Sequence, residues 1–72
     1  MEHWRKLGIV AGAGVLPRRL AEAAGAPFVV RLAGIADEDF SPFANAECGI
    51  AEVGKTIRLL KDAGCDAVVL AG

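Results

Sequence analysis

The sequence predicts an α/β fold: one small domain over residues 1–72 with a Rossmann-like parallel sheet, in the order β-α-β-loop-β-α-β. Three observations carry this. The runs Leu7–Ala11, Phe28–Leu32 and Ala67–Ala71 are apolar or nearly so, as strands buried on both faces are. Segments with helical spacing of apolar residues lie between them. A Gly12-Ala13-Gly14 turn joins the first run to the first helix, the strand, glycine turn and helix order of parallel units.

Taken in order, Met1 to Arg5 reads as a loose arm, with Trp4 at the sheet edge or in solvent and His3, the single histidine, not expected to be a ligand. The first helix is expected to open near Val15 or Leu16. Pro17 fits its first turn, where a missing N–H costs nothing, and Gly25 ends it. Leu16, Leu20, Ala23 and Ala24 form its apolar face, and Arg18, Arg19 and Glu22 its solvated one. The second strand follows through a helical crossover and is therefore parallel to the first, with Arg31 near its end. Residues 33–46 carry Asp37, Glu38, Asp39 and Pro42 without periodicity and read as a loop, the three acids facing solvent. A short strand is expected around Glu47 to Ile50. The helix that follows, from about Gly54 to Ala63, has Val53, Ile57, Leu60 and Gly64 on its inner stripe and Lys55, Arg58, Lys61 and Asp62 outside. Right-handed crossovers, with the usual reversal around the first strand, place that strand in the middle of the sheet.

Composition bounds the function. A chain of 72 residues buries only about 60% of the surface its unfolded form exposes. With 54% apolar residues and a mean hydropathy of +0.43, it holds more apolar side chain than one small core hides, which predicts a partner domain or self-association. A net charge of -1 offers nucleic acid no basic face. Cys48 and Cys65 are too far apart for a CxxC pair and read as reduced thiols. The front of the chain imitates a signal peptide, because His3, Arg5 and Lys6 precede ten uncharged residues. That run contains three glycines and ends in Pro17-Arg18-Arg19 rather than a cleavage site, and no run approaches the ~18 residues of a membrane span.

Two motifs compete for an anion. Gly12-Ala13-Gly14-Val15-Leu16-Pro17 keeps the first two glycines of the dinucleotide fingerprint but has proline in the third position. Arg31 stands where the ribose-binding acid is expected and could meet a 2′-phosphate, so an NAD(P)-binding half domain of an oxidoreductase stays open, as does a tight turn with no ligand. Gly49-Ile50-Ala51-Glu52-Val53-Gly54-Lys55-Thr56 satisfies the P-loop pattern. Against it, the preceding SPFANAEC does not read as a buried strand, and Glu52 would set negative charge beside phosphate. No cluster of residues reads as catalytic or metal-binding.

The pieces LGIVAGAGVLP and GIAEVGKTIRLLKDAGCDAVVLAG, in this order and spacing from Lys6 to Gly72, resemble the amino-terminal domain of the UDP-2,3-diacylglucosamine pyrophosphatases of lipid A biosynthesis, the type without a metallophosphoesterase fold. The resemblance implies a cytoplasmic, magnesium-dependent hydrolase, with a peripheral position at the inner membrane as an option. It would release UMP and 2,3-diacylglucosamine 1-phosphate from a UDP-sugar lipid held between two domains. It implies acidic catalytic and metal-linked residues in a carboxyl-terminal domain that lies outside this chain. Expected ligand-facing positions are Gly12, Ala13, Gly14, Leu16 and Pro17, with Lys55 and Gly72 as further candidates. The 72 residues alone are expected to be inactive and prone to self-association.

Overall fold

The computed structural model describes residues 5–72. The expectations for Trp4 and His3 lie outside them. Six elements follow in order: β1 (Leu7–Ala11), α1 (Leu16–Ala24), β2 (Phe28–Leu32), β3 (Ala44–Cys48), α2 (Val53–Asp62) and β4 (Ala67–Ala71). All strand pairs are parallel, and the sheet order is β3-β2-β1-β4, with β1 inside as predicted. Every residue of β1 is buried.

Alternation along the strands divides the core in two. Leu7, Ile9 and Ala11 meet Val29 on the α1 side, where Ala21 and Phe40 complete the layer. Val10 and Val30 meet Cys48 and Leu60 on the α2 side. The buried stripe of α1 is Pro17, Leu20, Ala21 and Ala24, whereas Leu16 is 53% exposed and Ala23 lies outside. This shifts the predicted face by one residue. Proline and small alanines can lie close against a sheet, and a reading weighted toward leucine passes over them.

In α2 the inward residues are Thr56, Leu59 and Leu60, not the predicted Val53 and Ile57, which are exposed. The helix crosses the β1–β3 part of the sheet, so its flank toward β4 meets no covering element. Its end is a Schellman motif: Gly64, at φ +81°, donates to Lys61 C=O at 2.9 Å, and Cys65 donates to Leu60 C=O at 3.1 Å.

β3 begins three residues before the predicted strand and ends before Gly49. Its sequence, ANAEC, carries almost no strand signal. Pairing holds it: Asn45 Oδ1 accepts from Arg31 Nε at 2.7 Å, and its amide donates to the carbonyls of Phe40 and Phe43 at 3.1 and 2.8 Å. The segment before β3 is equally well anchored, because Phe40 is 2% exposed and plugs the core under α1. Asp39 and Ser41 close a turn there. Arg18 secures it from α1 by donating to Asp39 C=O, pairing with Glu22 at 3.1 Å and lying 5.6 Å from the Phe43 ring centre.

Two tight points fix the sheet. A Cβ on Gly8 would come within 2.5 Å of Leu60 Cδ2 and 3.1 Å of Cys65 Sγ, so the bare backbone of β1 is what lets α2 settle. Gly8→Ala is expected to destabilise the fold by about 1–3 kcal/mol through overpacking, read as a lower midpoint in urea at unchanged slope. At the other end of the strand, Asp66 accepts from the backbone N–H groups of Arg5 and Lys6 at 2.9–3.0 Å and ties the entry of β1 to that of β4. Those N–H bonds, from Lys6 first and then Arg5, hold its carboxyl below the ordinary 3.8. The stabilisation is therefore complete above that value and lost as pH falls through the depressed one. Thermal melts should show a steeper loss of stability below about pH 4 for the native chain than for Asp66→Asn, which should be the less stable of the two at pH 7.

Candidate functional site

The reversal of strand order lies between β1 and β4, and in open α/β sheets ligands bind beyond the carboxyl ends of strands at such a point. A cleft of about 370 Å³ opens there. Its rim is backbone, from Gly12, Ala13 and Gly72, and its walls are apolar, from residues such as Val10, Leu32 and Ile50.

The rim is tight because two turns touch. Gly12 N–H donates to Ala71 C=O at 2.7 Å, carrying the β1–β4 ladder one residue past the strand. Gly72 has φ +121°, and a Cβ there would lie 2.8 Å from Gly12 Cα and C and 2.9 Å from Ala13 O. Glycine is required at 72 both for its backbone angle and for space. Gly14, at φ +91°, needs glycine for the angle alone, since nothing lies within 4 Å of its Cβ position.

Asp37 is the residue that sequence reasoning missed. Its Oδ1 accepts from Gly14 N–H at 2.9 Å, so a carboxylate from the loop after β2 already sits on the glycine turn. Asp39 is equally committed, since its two oxygens accept from Ser41 N–H and Oγ–H at 2.9 and 3.1 Å. Those bonds, the backbone one first, hold its carboxyl below the ordinary range. Asp37 and Asp39 are exposed, as expected of the loop acids, and each also organises a turn. Nothing in the sequence alone joins Asp37 to Gly14, because the two are 23 residues apart and a tertiary contact unites them.

The predicted positions separate into groups. Gly12, Ala13 and Gly72 come together on the rim, with Gly14 beside them under Asp37. Leu16 is exposed at the start of α1, Pro17 is buried beneath it, and Lys55 is exposed in the first turn of α2. Neither Leu16, Pro17 nor Lys55 lines the cleft.

The competing motifs are now concrete. The strand that precedes Gly49 has only Cys48 buried, in keeping with the sequence reading, and the turn carries its own anion: Glu52 Oε1 accepts from Gly49 N–H at 2.7 Å, and Glu52 N–H closes the turn on Gly49 C=O at 3.0 Å. Thr56, the residue a P-loop would turn toward magnesium, gives its hydroxyl to Cys48 Sγ at 3.1 Å. Arg31, the candidate for a 2′-phosphate, is held across the sheet by Asn45 and lies 3.9 Å from Glu47. Cys48 and Cys65 are both free thiols, and burial pushes that of Cys65 up, so it is neutral at pH 7. Among the described residues, no group of three or more histidine, cysteine or acidic side chains is placed to hold a metal, and no helix is long and apolar enough to cross a membrane.

Residues 6–72 match the family model described as the LpxI N-terminal domain. The chain is 47% identical over 72 residues to the UDP-2,3-diacylglucosamine pyrophosphatase LpxI of Caulobacter vibrioides (strain ATCC 19089 / CIP 103742 / CB 15), covering 94% of this chain and 26% of that protein. The chain thus spans about a quarter of the length of the curated relative it matches.

The Asp37 contact yields a direct test. Asp37→Ala removes the acceptor on the glycine turn, so hydrogen exchange at the Gly14 amide should accelerate by about an order of magnitude, while the amides of β1 and β2 keep their protection.

Proposed function

The chain belongs to the LpxI N-terminal domain family, and from that membership we propose that it is the substrate-binding amino-terminal domain of a hydrolase that cleaves the pyrophosphate of UDP-2,3-diacylglucosamine to UMP and 2,3-diacylglucosamine 1-phosphate. The observation that carries this reading is the backbone rim at the strand reversal. Gly12, Ala13 and Gly72 leave no side chain larger than a methyl at the approach to the cleft, and α1 starts just beyond with its first-turn N–H groups unused by the helix. Backbone N–H groups favour negative charge, as a diphosphate carries before and during attack by water.

The role of this chain is then to bind and orient. Of the turn amides, Gly12 and Gly14 already have protein acceptors, which leaves Ala13 and the start of α1 to meet phosphate oxygens. Magnesium, when bound, would neutralise charge on the diphosphate and lower the pKa of an attacking water. The acids described here do not fit a site for it: Asp37 and Asp39 are spent on backbone and serine donors. We therefore place the metal ligands and the water-activating group in the remainder of the hydrolase, a carboxyl-terminal domain that closes over the cleft. The apolar walls suit a lipid-linked substrate, and a cytoplasmic enzyme touching the inner membrane peripherally would reach one. The nicotinamide alternative loses its support with Arg31 engaged on β3.

The test is release of UMP from UDP-2,3-diacylglucosamine with magnesium, using the 72-residue chain and the same chain fused to the part of the Caulobacter relative that follows its matched region. Turnover is expected from the fusion and not from the short chain. Gly14→Val in the fusion should weaken substrate binding by about tenfold or more, since a β-branched residue at positive φ costs about 1–2 kcal/mol. Amide shifts on adding a UDP-sugar should fall on Gly12 to Gly14. Shifts confined to Ala51 to Thr56 with ATP and magnesium would move the site to the other glycine motif, and robust turnover by the short chain would place the catalytic residues within it.

A further inference from the structure

Only half of the Asp37 carboxylate is occupied by the glycine turn. Oδ1 accepts from Gly14 N–H at 2.9 Å, whereas Oδ2 takes no hydrogen bond from any described residue. The group is exposed and stands at the cleft: Gly14 follows Ala13, Asp37 lies shortly past Ile35, and Ala13 and Ile35 both line the wall. It is also held firmly. Just before it, Ala36 N–H donates to Leu32 C=O at 2.9 Å, and just after it Phe40, buried in the core, anchors the loop while Arg18 donates to Asp39 C=O. A negative charge fixed beside a diphosphate is repulsive unless the ligand meets it with a hydrogen-bond donor.

We propose that Asp37 is a specificity-determining residue of this cleft, accepting on Oδ2 a hydroxyl of one of the two sugars that flank the diphosphate, an inference that rests on the substrate-binding role proposed above. In nucleotide-binding α/β units an acid beyond the second strand, beside the glycine turn, accepts a sugar hydroxyl. At the end of β2 that post is held by Arg31, which is turned to Asn45 and Glu47. Asp37 is the acid that the following loop carries back to the turn. Other roles use less of what is present. A brace for α1, whose first turn has no acid of its own, needs only the oxygen already bound to Gly14. A metal site needs further ligands, and among the described residues no group of three histidine, cysteine or acidic side chains is placed to supply them. The donors on the substrate are the ribose hydroxyls of the uridine and the glucosamine hydroxyls left free by acylation at positions 2 and 3. A phosphate in their place would be repelled, so the same carboxylate rejects phosphorylated sugars.

Binding calorimetry on the fusion protein tests this. The ligands are UMP and 2,3-diacylglucosamine 1-phosphate, which are the two halves of the substrate, and inorganic pyrophosphate, which has no hydroxyl to offer. Asp37→Asn is the informative variant, because its amide oxygen still accepts from Gly14 N–H while its nitrogen puts a donor where Oδ2 was. Hydrogen exchange at the Gly14 amide should therefore keep its native rate. The half that carries the contacted sugar should bind the variant about tenfold more weakly, and pyrophosphate should bind it at least as tightly as it binds the native fusion. 2′-Deoxy-UMP and 3′-deoxy-UMP separate the sources. If the ribose is contacted, the native fusion should lose about tenfold in affinity for one of them and the variant less than about threefold. If the glucosamine is contacted, only the 1-phosphate should respond to Asp37→Asn. The inference is overturned if both halves shift the amides of Gly12 to Gly14 yet bind the two proteins equally. It is overturned too if all three ligands weaken together, the mark of a purely structural residue. If neither half shifts those amides, the substrate-binding role itself fails, and this inference with it.

Discussion

The structure depends on the burial of β1. A five-residue strand with no exposed position needs a hydrogen-bonding neighbour at each edge and an apolar cover on each face. β2 and β4 supply the edges. On one face the cover is α1 with Phe40 wedged beside it, and on the other it is α2, brought close because Gly8 has no side chain. The same centrality places the candidate site: whatever follows β1 emerges beside the ends of β2 and β4, so the glycine turn sits where the two windings of the described sheet diverge.

The parts of this arrangement that could be read in the sequence are those set by local chemistry. Three apolar runs gave three strands with their bounds, Pro17 and Gly25 bracketed α1, and Gly64 closed α2. The order with β1 inside followed from right-handed crossovers together with the usual reversal around the first strand. β3 was placed late because ANAEC becomes a strand only when Asn45 finds Arg31 and two loop carbonyls, and none of these partners lies in its own window. The expected apolar faces hold at Leu20, Ala24 and Leu60 and fail at Leu16, Val53 and Ile57 for a related reason. A hydrophobic stripe says which residues prefer burial, whereas the elements present decide which obtain it.

The candidate site was legible as a backbone motif and illegible as a set of contacts. The turn at Gly12 and Gly14 was legible because glycine marks unusual angles and close approach, whereas Gly72 became a candidate only through the family resemblance. Asp37 was not legible, since a carboxylate in a loop carries no sign of which amide it will reach. The Gly49–Thr56 stretch shows the converse. Its pattern of glycines, lysine and threonine is complete, but Glu52 folds back to occupy the Gly49 amide and Thr56 turns to Cys48. An acidic residue inside such a loop can serve as its own ligand, and the pattern alone does not register it.

The register of β1 against β4, Leu7 opposite Ala67 and Ala11 opposite Ala71, has a kinetic meaning. β1 is completed by a strand that begins only at Ala67, so the central ladder closes a long loop. Loop closure of this length and a sheet made entirely of parallel pairs both slow folding relative to local structure. During synthesis β1 and β2 can pair around α1, but one side of β1 stays open until residues 67–71 arrive. For that interval the most buried of the described strands has an unpaired edge, the condition under which nascent chains find one another.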